Sequence, residues 1–167
     1  CHMVNTQLHT RDSILQILSV ICDPEISVVS IQEMGILRDV VVHDNVCEII
    51  ITPTYTGCPA MGIIEADIQS TLHHAGIDEV KVTTVYTPAW TTDWMTESTK
   101  EKLQKFGIAA PVHSHCMDWS KPEQHAVICP LCHAEDTQII SHFGSTACKA
   151  LYKCNVCKEP FDYFKCH

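Results

Sequence analysis

The sequence predicts an α+β protein: a small mixed domain, with helices packed on a short β-sheet, followed by a C-terminal zinc ribbon. Three observations predict it. Apolar residues recur at helical spacing in two segments of the first hundred residues, β-branched runs lie around the second of them, and two Cys-x-x-Cys pairs stand near the end of the chain. The expected boundaries are 1–10 for an N-terminal tail, 11–110 for the mixed domain, 111–125 for a linker and 126–167 for the ribbon.

In residues 11–22, Ile14, Leu18 and Ile21 form one stripe and Leu15 and Ile17 widen it, so a helix is expected there. Asp23-Pro24-Glu25 ends it, because the residue before a proline avoids the helical region. After a loop containing Gly35, residues 36–43 and 46–52 read as strands, and the Asp44-Asn45 link suits a tight hairpin. A second helix follows Cys58, with Met61, Ile64, Ile68 and Leu72 at helical spacing, Pro59 suited to the first helical position and Gly76 as a stop. Val80, Val82 and Val85 mark a third strand over 79–87, and a Trp-containing segment leads into a polar helix around 96–106 that Gly107 ends. From Ile108 to about His125 the periodicity is lost, and Pro111, Pro122 and polar residues mark a linker. The last segment carries the cysteine pairs between short strand-like runs such as 137–142, with too little apolar content to fold unaided.

Composition narrows the function. The formal net charge is -9, with pI near 5.6. A phosphate-binding surface needs a Lys and Arg surplus, so nucleic acid is not an expected partner and another protein is. No run approaches the roughly 18 apolar residues of a membrane span, and no signal-peptide pattern opens the chain, so a cytoplasmic location is expected. Cys1-His2-Met3 reads as a tag remnant. Eleven cysteines without an export signal point to metal rather than disulfides. No Gly-rich phosphate loop and no nucleophile elbow occurs, and no predicted helix carries the Glu-x-x-His pair of a di-iron site.

Cys129, Cys132, Cys154 and Cys157 supply four thiolates from two tight turns, the set a tetrahedral zinc requires. The 21 residues between the pairs exceed the usual gap of about 15–20, which an inserted loop absorbs. Cys148 and Cys166 could each replace one ligand or remain free thiols, and a cysteine-only shell also suits an iron–sulfur cluster. Structural zinc is the default.

Cys58 stands in Thr-Gly-Cys-Pro just before the second helix, where unpaired N–H groups and the helix dipole favour a thiolate; a buried structural cysteine fits the same pattern. Asp23 and Glu25 are candidate iron ligands beside it, or simply two solvated acids in a turn. His73 and His74 suit a helix end, while His113, His115 and Cys116 fall in the linker. Trp90, Trp94 and Trp119 offer a docking surface or core packing.

The Asp23-Pro24-Glu25 triplet, the run Thr52-Pro53-Thr54-Tyr55-Thr56-Gly57-Cys58-Pro59 and the run Pro88 to Met95 (PAWTTDWM) closely resemble the PaaD family of bacterial phenylacetate degradation. So do Phe143 to Leu151 (FGSTACKAL) and Glu159 to Cys166 (EPFDYFKC), and the likeness covers nearly all the chain from Arg11. The N-terminal half also resembles the broader iron–sulfur assembly family that includes SufT. This resemblance implies that Cys58, by position, is the loop cysteine tied to cluster maturation. It further implies an accessory protein, not an enzyme, encoded with a multicomponent phenylacetyl-CoA epoxidase. Its partner would be the flavin and iron–sulfur reductase component, to which it would supply or install a transiently held iron or iron–sulfur cluster. One thiolate cannot fill a cluster that takes four ligands, so a second Cys58 across a homodimer, the client or a small thiol is expected to contribute. The alternatives are a structural zinc-binding subunit of the oxygenase complex, and a thiol–disulfide enzyme built on the Cys-x-x-Cys pairs.

Overall fold

The structure is a computed structural model that describes residues 9–44, 46–111 and 127–165. It is a mixed α and β fold with three α-helices among the described residues. Thr10 caps α1 (Arg11–Leu18), its side chain accepting the Ser13 N–H, and the helix buries Ile14 and Leu18. It ends one turn earlier than the apolar stripe suggests. Cys22 and Asp23 instead form β1 (Cys22–Asp23), paired antiparallel with β2 (Ile26–Ser30). The Asp23 carboxylate makes that reversal: its Oδ1 accepts the N–H groups of Glu25 at 2.7 Å and Ile26 at 3.1 Å.

β3 (Leu37–His43) and β4 (Val46–Ile51) are antiparallel, and β5 (Glu79–Thr84) adds parallel to β4 after the crossover helix α2 (Ala60–His74). Ala60, Ile64, Ile68 and Leu72 of α2 face inward, and α1 packs on α2 and β3. Gly76 stops α2 at φ +88°, a conformation that suits glycine. Gly35 turns the chain at φ +74° where a Cβ would stand 2.9 Å from Trp94 Cβ, so the close approach also requires glycine. α3 (Glu97–Lys105) is the polar helix, capped by Thr96 and followed by Gly107.

The second sheet has the order β6-β9-β8-β7, from β6 (Ile108–Ala109), β7 (Thr137–Ser141), β8 (Lys149–Cys154) and β9 (Pro160–Phe164). Its edge strand β6 comes from residues at the end of the expected mixed domain, paired parallel with β9. The periodicity failed to mark it because two residues carry no period. The linker residues 112–125, with His113, His115, Cys116 and Trp119, lie outside the described residues, as do Asn45 and Cys166.

Two cores result. The smaller holds Val127, Cys129, Ala150, Tyr152, Cys154, Phe161 and Tyr163 between the ribbon strands, with Ala109. The larger fills the mixed domain, yet includes Cys148 and Phe164 from the ribbon. Phe164 meets Trp90 edge-on at 5.7 Å between ring centroids, and Trp90 Nε1 donates to the Met34 carbonyl at 2.8 Å. Trp90 is therefore a core residue that joins the halves; Trp94 is partly buried with the Arg38 guanidinium over its ring. No described helix is long and apolar enough to cross a membrane.

Candidate metal centre and thiol site

The first knuckle lies in the turn before β7, where Cys129 N–H donates to the Ala134 carbonyl at 2.9 Å and His133 adopts φ +61°. The second joins β8 to β9: Cys154 N–H donates to the Glu159 carbonyl at 3.0 Å, and Lys158 takes φ +69°. These reversals turn the four sulfurs of Cys129, Cys132, Cys154 and Cys157 inward, all within 4.8 Å of one another. Cys129 and Cys157 are 3.8 Å apart and Cys132 and Cys154 3.5 Å. Four sulfurs each about 2.3 Å from one ion stand about 3.8 Å apart, so the cluster fits a tetrahedral metal. Burial works against ionisation of Cys154, but the N–H groups of Cys157 and Val156, both 3.4 Å from its sulfur, outweigh it and lower its pKa to about 7. The four cysteines form a group that can hold one metal ion. A metal bound by both pairs would occupy the thiolates that disulfide exchange needs. Cys148 is not part of that group.

Cys58 occupies the turn into α2, with Gly57 at φ +82° before it and its own N–H on the Tyr55 carbonyl at 3.2 Å. The side chain is half-buried. The expected easily lost proton is corrected by the surroundings. Burial pushes the thiol pKa up, and the Glu25 and Asp23 carboxylates push the same way. The Ala60 N–H at the helix start and the Tyr55 hydroxyl do favour the thiolate, as a helix N-terminus should, but burial and the two acids prevail. Proximity to those acids is the more informative result, since it places Asp23, Glu25 and Cys58 in one neighbourhood.

Asp23 is 6% exposed, so the reading of two solvated acids fails for it. Burial raises its pKa, Glu25 adds to the rise, and the turn N–H groups and Lys149 oppose it. Tyr55 is pushed up to about 12 by burial and by Cys58 and Glu25. Cys148, expected from the sequence as a substitute ribbon ligand or a free thiol, lies beside Glu25. Cys148 Sγ lies 3.6 Å from Glu25 Oε2 and 3.0 Å from Thr146 Oγ1, and burial raises its pKa to about 11. Nothing along the chain signals a contact between residues 123 apart. Beside the loop opens a cleft of about 330 Å³, bounded by residues 52–56, Tyr86, Ala89 and Trp90. His73 and His74 hydrogen-bond to the carbonyls of Asp78 and Ser70 at the end of α2 and lie apart from the thiol site.

Two family models match the chain. One described as an iron-sulfur cluster assembly protein matches residues 11–86, and one described as a PaaD zinc beta ribbon domain matches residues 115–165. The chain is 46% identical over 150 residues, 90% of its own length and 89% of the other, to an Escherichia coli (strain K12) protein provisionally named as one of the subunits of a 1,2-phenylacetyl-CoA epoxidase. It is 30% identical over 103 residues to an Fe-S protein maturation auxiliary factor of Porphyromonas gingivalis (strain ATCC BAA-308 / W83), covering 60% of this chain and 97% of that one. Among solved structures, a domain of unknown function, DUF59, from Bacillus anthracis superposes with a TM-score of 0.52 at 29% identity, over 56% of this chain and 90% of that one.

Proposed function

The chain belongs to the PaaD family, and from that premise we propose that it is a non-enzymatic maturation protein of a phenylacetyl-CoA epoxidase. Iron or an iron–sulfur cluster is its cargo, held transiently by Cys58 with Asp23 and Glu25, and delivered to the iron–sulfur reductase component. The four-thiolate centre holds a structural zinc, which suits an all-cysteine tetrahedral shell that has no open position. The zinc supplies folding free energy; the ribbon residues place β8 and β9 against the assembly domain.

The observation that carries this reading is the half-buried Cys58 in the turn into α2, within electrostatic reach of Asp23 and Glu25. A thiol kept neutral by burial and nearby acids is a poor nucleophile, because nucleophilic attack needs the thiolate. The same surroundings suit a cation, whose charge reverses the local preference and displaces the thiol proton. Half-burial leaves one side of the sulfur reachable by a client.

The test is co-expression of the reductase component with the native chain or with Cys58→Ser. The expected result is a reductase purified with several-fold less iron and sulfide per flavin in the variant background, while the variant keeps its zinc. A reductase with full iron and sulfide in that background refutes delivery through Cys58. The name of the Escherichia coli relative favours a second reading, a zinc-bearing structural subunit. Stable co-purification with the oxygenase at fixed stoichiometry, with reductase iron independent of Cys58, would establish that one instead.

A further inference from the structure

Cys148 has no place in the ribbon's metal centre, yet its position is closely fixed. It precedes β8, its carbonyl accepts the Lys165 N–H at 2.9 Å, and its neighbour Lys149 pairs with Phe164 on β9. These contacts aim the sulfur away from the ribbon core and into the assembly domain, where it is 3% exposed. A cysteine that only fills space behaves as a small hydrophobe and is served by apolar neighbours. This one faces a carboxylate: Glu25 Oε2 is 3.6 Å from its sulfur. On the other side of the same region, Tyr55 feels the charge of both Cys58 and Cys148, and Glu25 acts on both thiols.

The charges around these sulfurs have a definite balance. Asp23 and Glu25 contribute two carboxylates. Lys149 acts on Asp23 and Cys148, and Lys165 lies within electrostatic reach of Cys148, so two ammonium groups offset part of that charge. Ionising both thiols adds two negative charges, which a divalent cation cancels. Two thiolates and a carboxylate form a mixed soft and hard donor set that suits iron better than calcium or magnesium. The groups do not yet converge as the four ribbon sulfurs do. Glu25 and Cys58 are each only partly buried, whereas Cys148 is buried.

We propose that Cys148 of the ribbon and Cys58 of the assembly domain are two thiolate ligands of one iron site, with Glu25 between them as an oxygen ligand. The proposal rests on the reading of Cys58 as the cargo residue and answers the question that reading leaves, which is what supplies a second sulfur. The ribbon then does more than dock a client: it forms one wall of the cargo site. On binding, the two S–H bonds break, both protons pass to water, and two Fe–S bonds form without change in the oxidation state of Fe(II).

The test uses the full chain carrying its one zinc, titrated with Fe(II) alone in the absence of oxygen, with iron-edge X-ray absorption counting sulfur atoms around the iron. The native chain is expected to show two sulfurs, and Cys58→Ser and Cys148→Ser one each at saturating iron, with Fe(II) bound at least tenfold more weakly in either variant. One sulfur or none in the native chain overturns the proposal, as does a Cys148→Ser chain with two sulfurs or unchanged affinity. Should Cys148→Ser fail to retain zinc, the other pair of measurements decides. A site made by Cys58 alone, or by Cys58 from two copies, leaves no sulfur on iron in Cys58→Ser, and that result also overturns the proposal. These counts fail or succeed independently of reductase loading in cells. A reductase that ignores Cys58 sinks delivery while leaving a two-sulfur site in place, and a one-sulfur site sinks the Cys148 assignment while leaving delivery intact.

Discussion

Phe164→Ala tests whether the ribbon and the assembly domain fold as one body. Phe164 is the last residue of β9 and is 1% exposed, with Trp90 edge-on at 5.7 Å and the mixed-domain core around it. Truncating a buried phenylalanine to alanine costs about 3–5 kcal/mol, through lost transfer free energy and the cavity left behind. With a urea slope of about 2 kcal/mol/M, that moves the midpoint down by about 1.5–2.5 M. The assay follows tryptophan fluorescence and metal release on the same samples, since the first reports the Trp90 core and the second the four-thiolate centre. Both transitions should move together, because one side chain belongs to the larger core while its strand closes the metal sheet. An unmoved fluorescence midpoint beside earlier metal release would refute the shared core, and with it the argument that the ribbon positions Cys148.

Two further predictions concern the metals. Because Cys58 is held protonated by burial, Glu25 and Asp23, protons compete with iron, so Fe(II) affinity should rise with pH between about 6 and 8. One thiol gives about tenfold per pH unit and two give about a hundredfold, since Cys148, with its pKa near 11, must also lose its proton; anaerobic titration at several pH values reads the slope, and a flat profile contradicts the neutral resident thiol. Cys154→Ser removes a fully buried ligand of the four-thiolate centre, which in small zinc domains contributes about 10–16 kcal/mol of folding free energy. Zinc analysis and near-UV circular dichroism should show zinc lost and aromatic packing of the ribbon gone, and a zinc-free chain with a native spectrum would contradict the metal's structural role.

Much of the fold was legible because its long elements have a period. The stripe Ile64, Ile68 and Leu72 and the β-branched runs of β3 and β4 each repeat a local signal several times, and they fold where that signal lies. β1, β2 and β6 were not legible for a matching reason. The two-residue strands β1 and β6 carry no period, the five-residue β2 does not alternate buried and exposed positions, and Cys22–Asp23 becomes a strand only because the Asp23 carboxylate ties the following turn. The four-thiolate centre was legible because each pair is local and four sulfurs need one point to meet. The thiol site was legible in part. Asp23, Glu25 and Cys58 were all named, but the helix-terminus argument gave the wrong direction for the Cys58 proton, because burial and the two acids are properties of tertiary structure. Cys148 could be noticed in the sequence but not placed, since the contact with Glu25 spans 123 positions.

The way the ribbon is attached explains why a metal-dependent module suits a protein of this kind. A free-standing ribbon would need only its own small core and could hang from a linker. Here β6 leaves the end of α3 and enters the ribbon sheet directly, while Phe164 and Cys148 pass the other way into the larger core. Each half therefore contributes residues that the other needs to be buried. The four-thiolate centre holds β8 and β9 in register at the end remote from those residues, so its folding free energy is transmitted along two strands to the wall that faces Glu25. Loss of the ribbon metal is then expected to withdraw Cys148 and Phe164 together. On the proposed reading, a metal held in the ribbon sets the geometry in which the iron cargo is received.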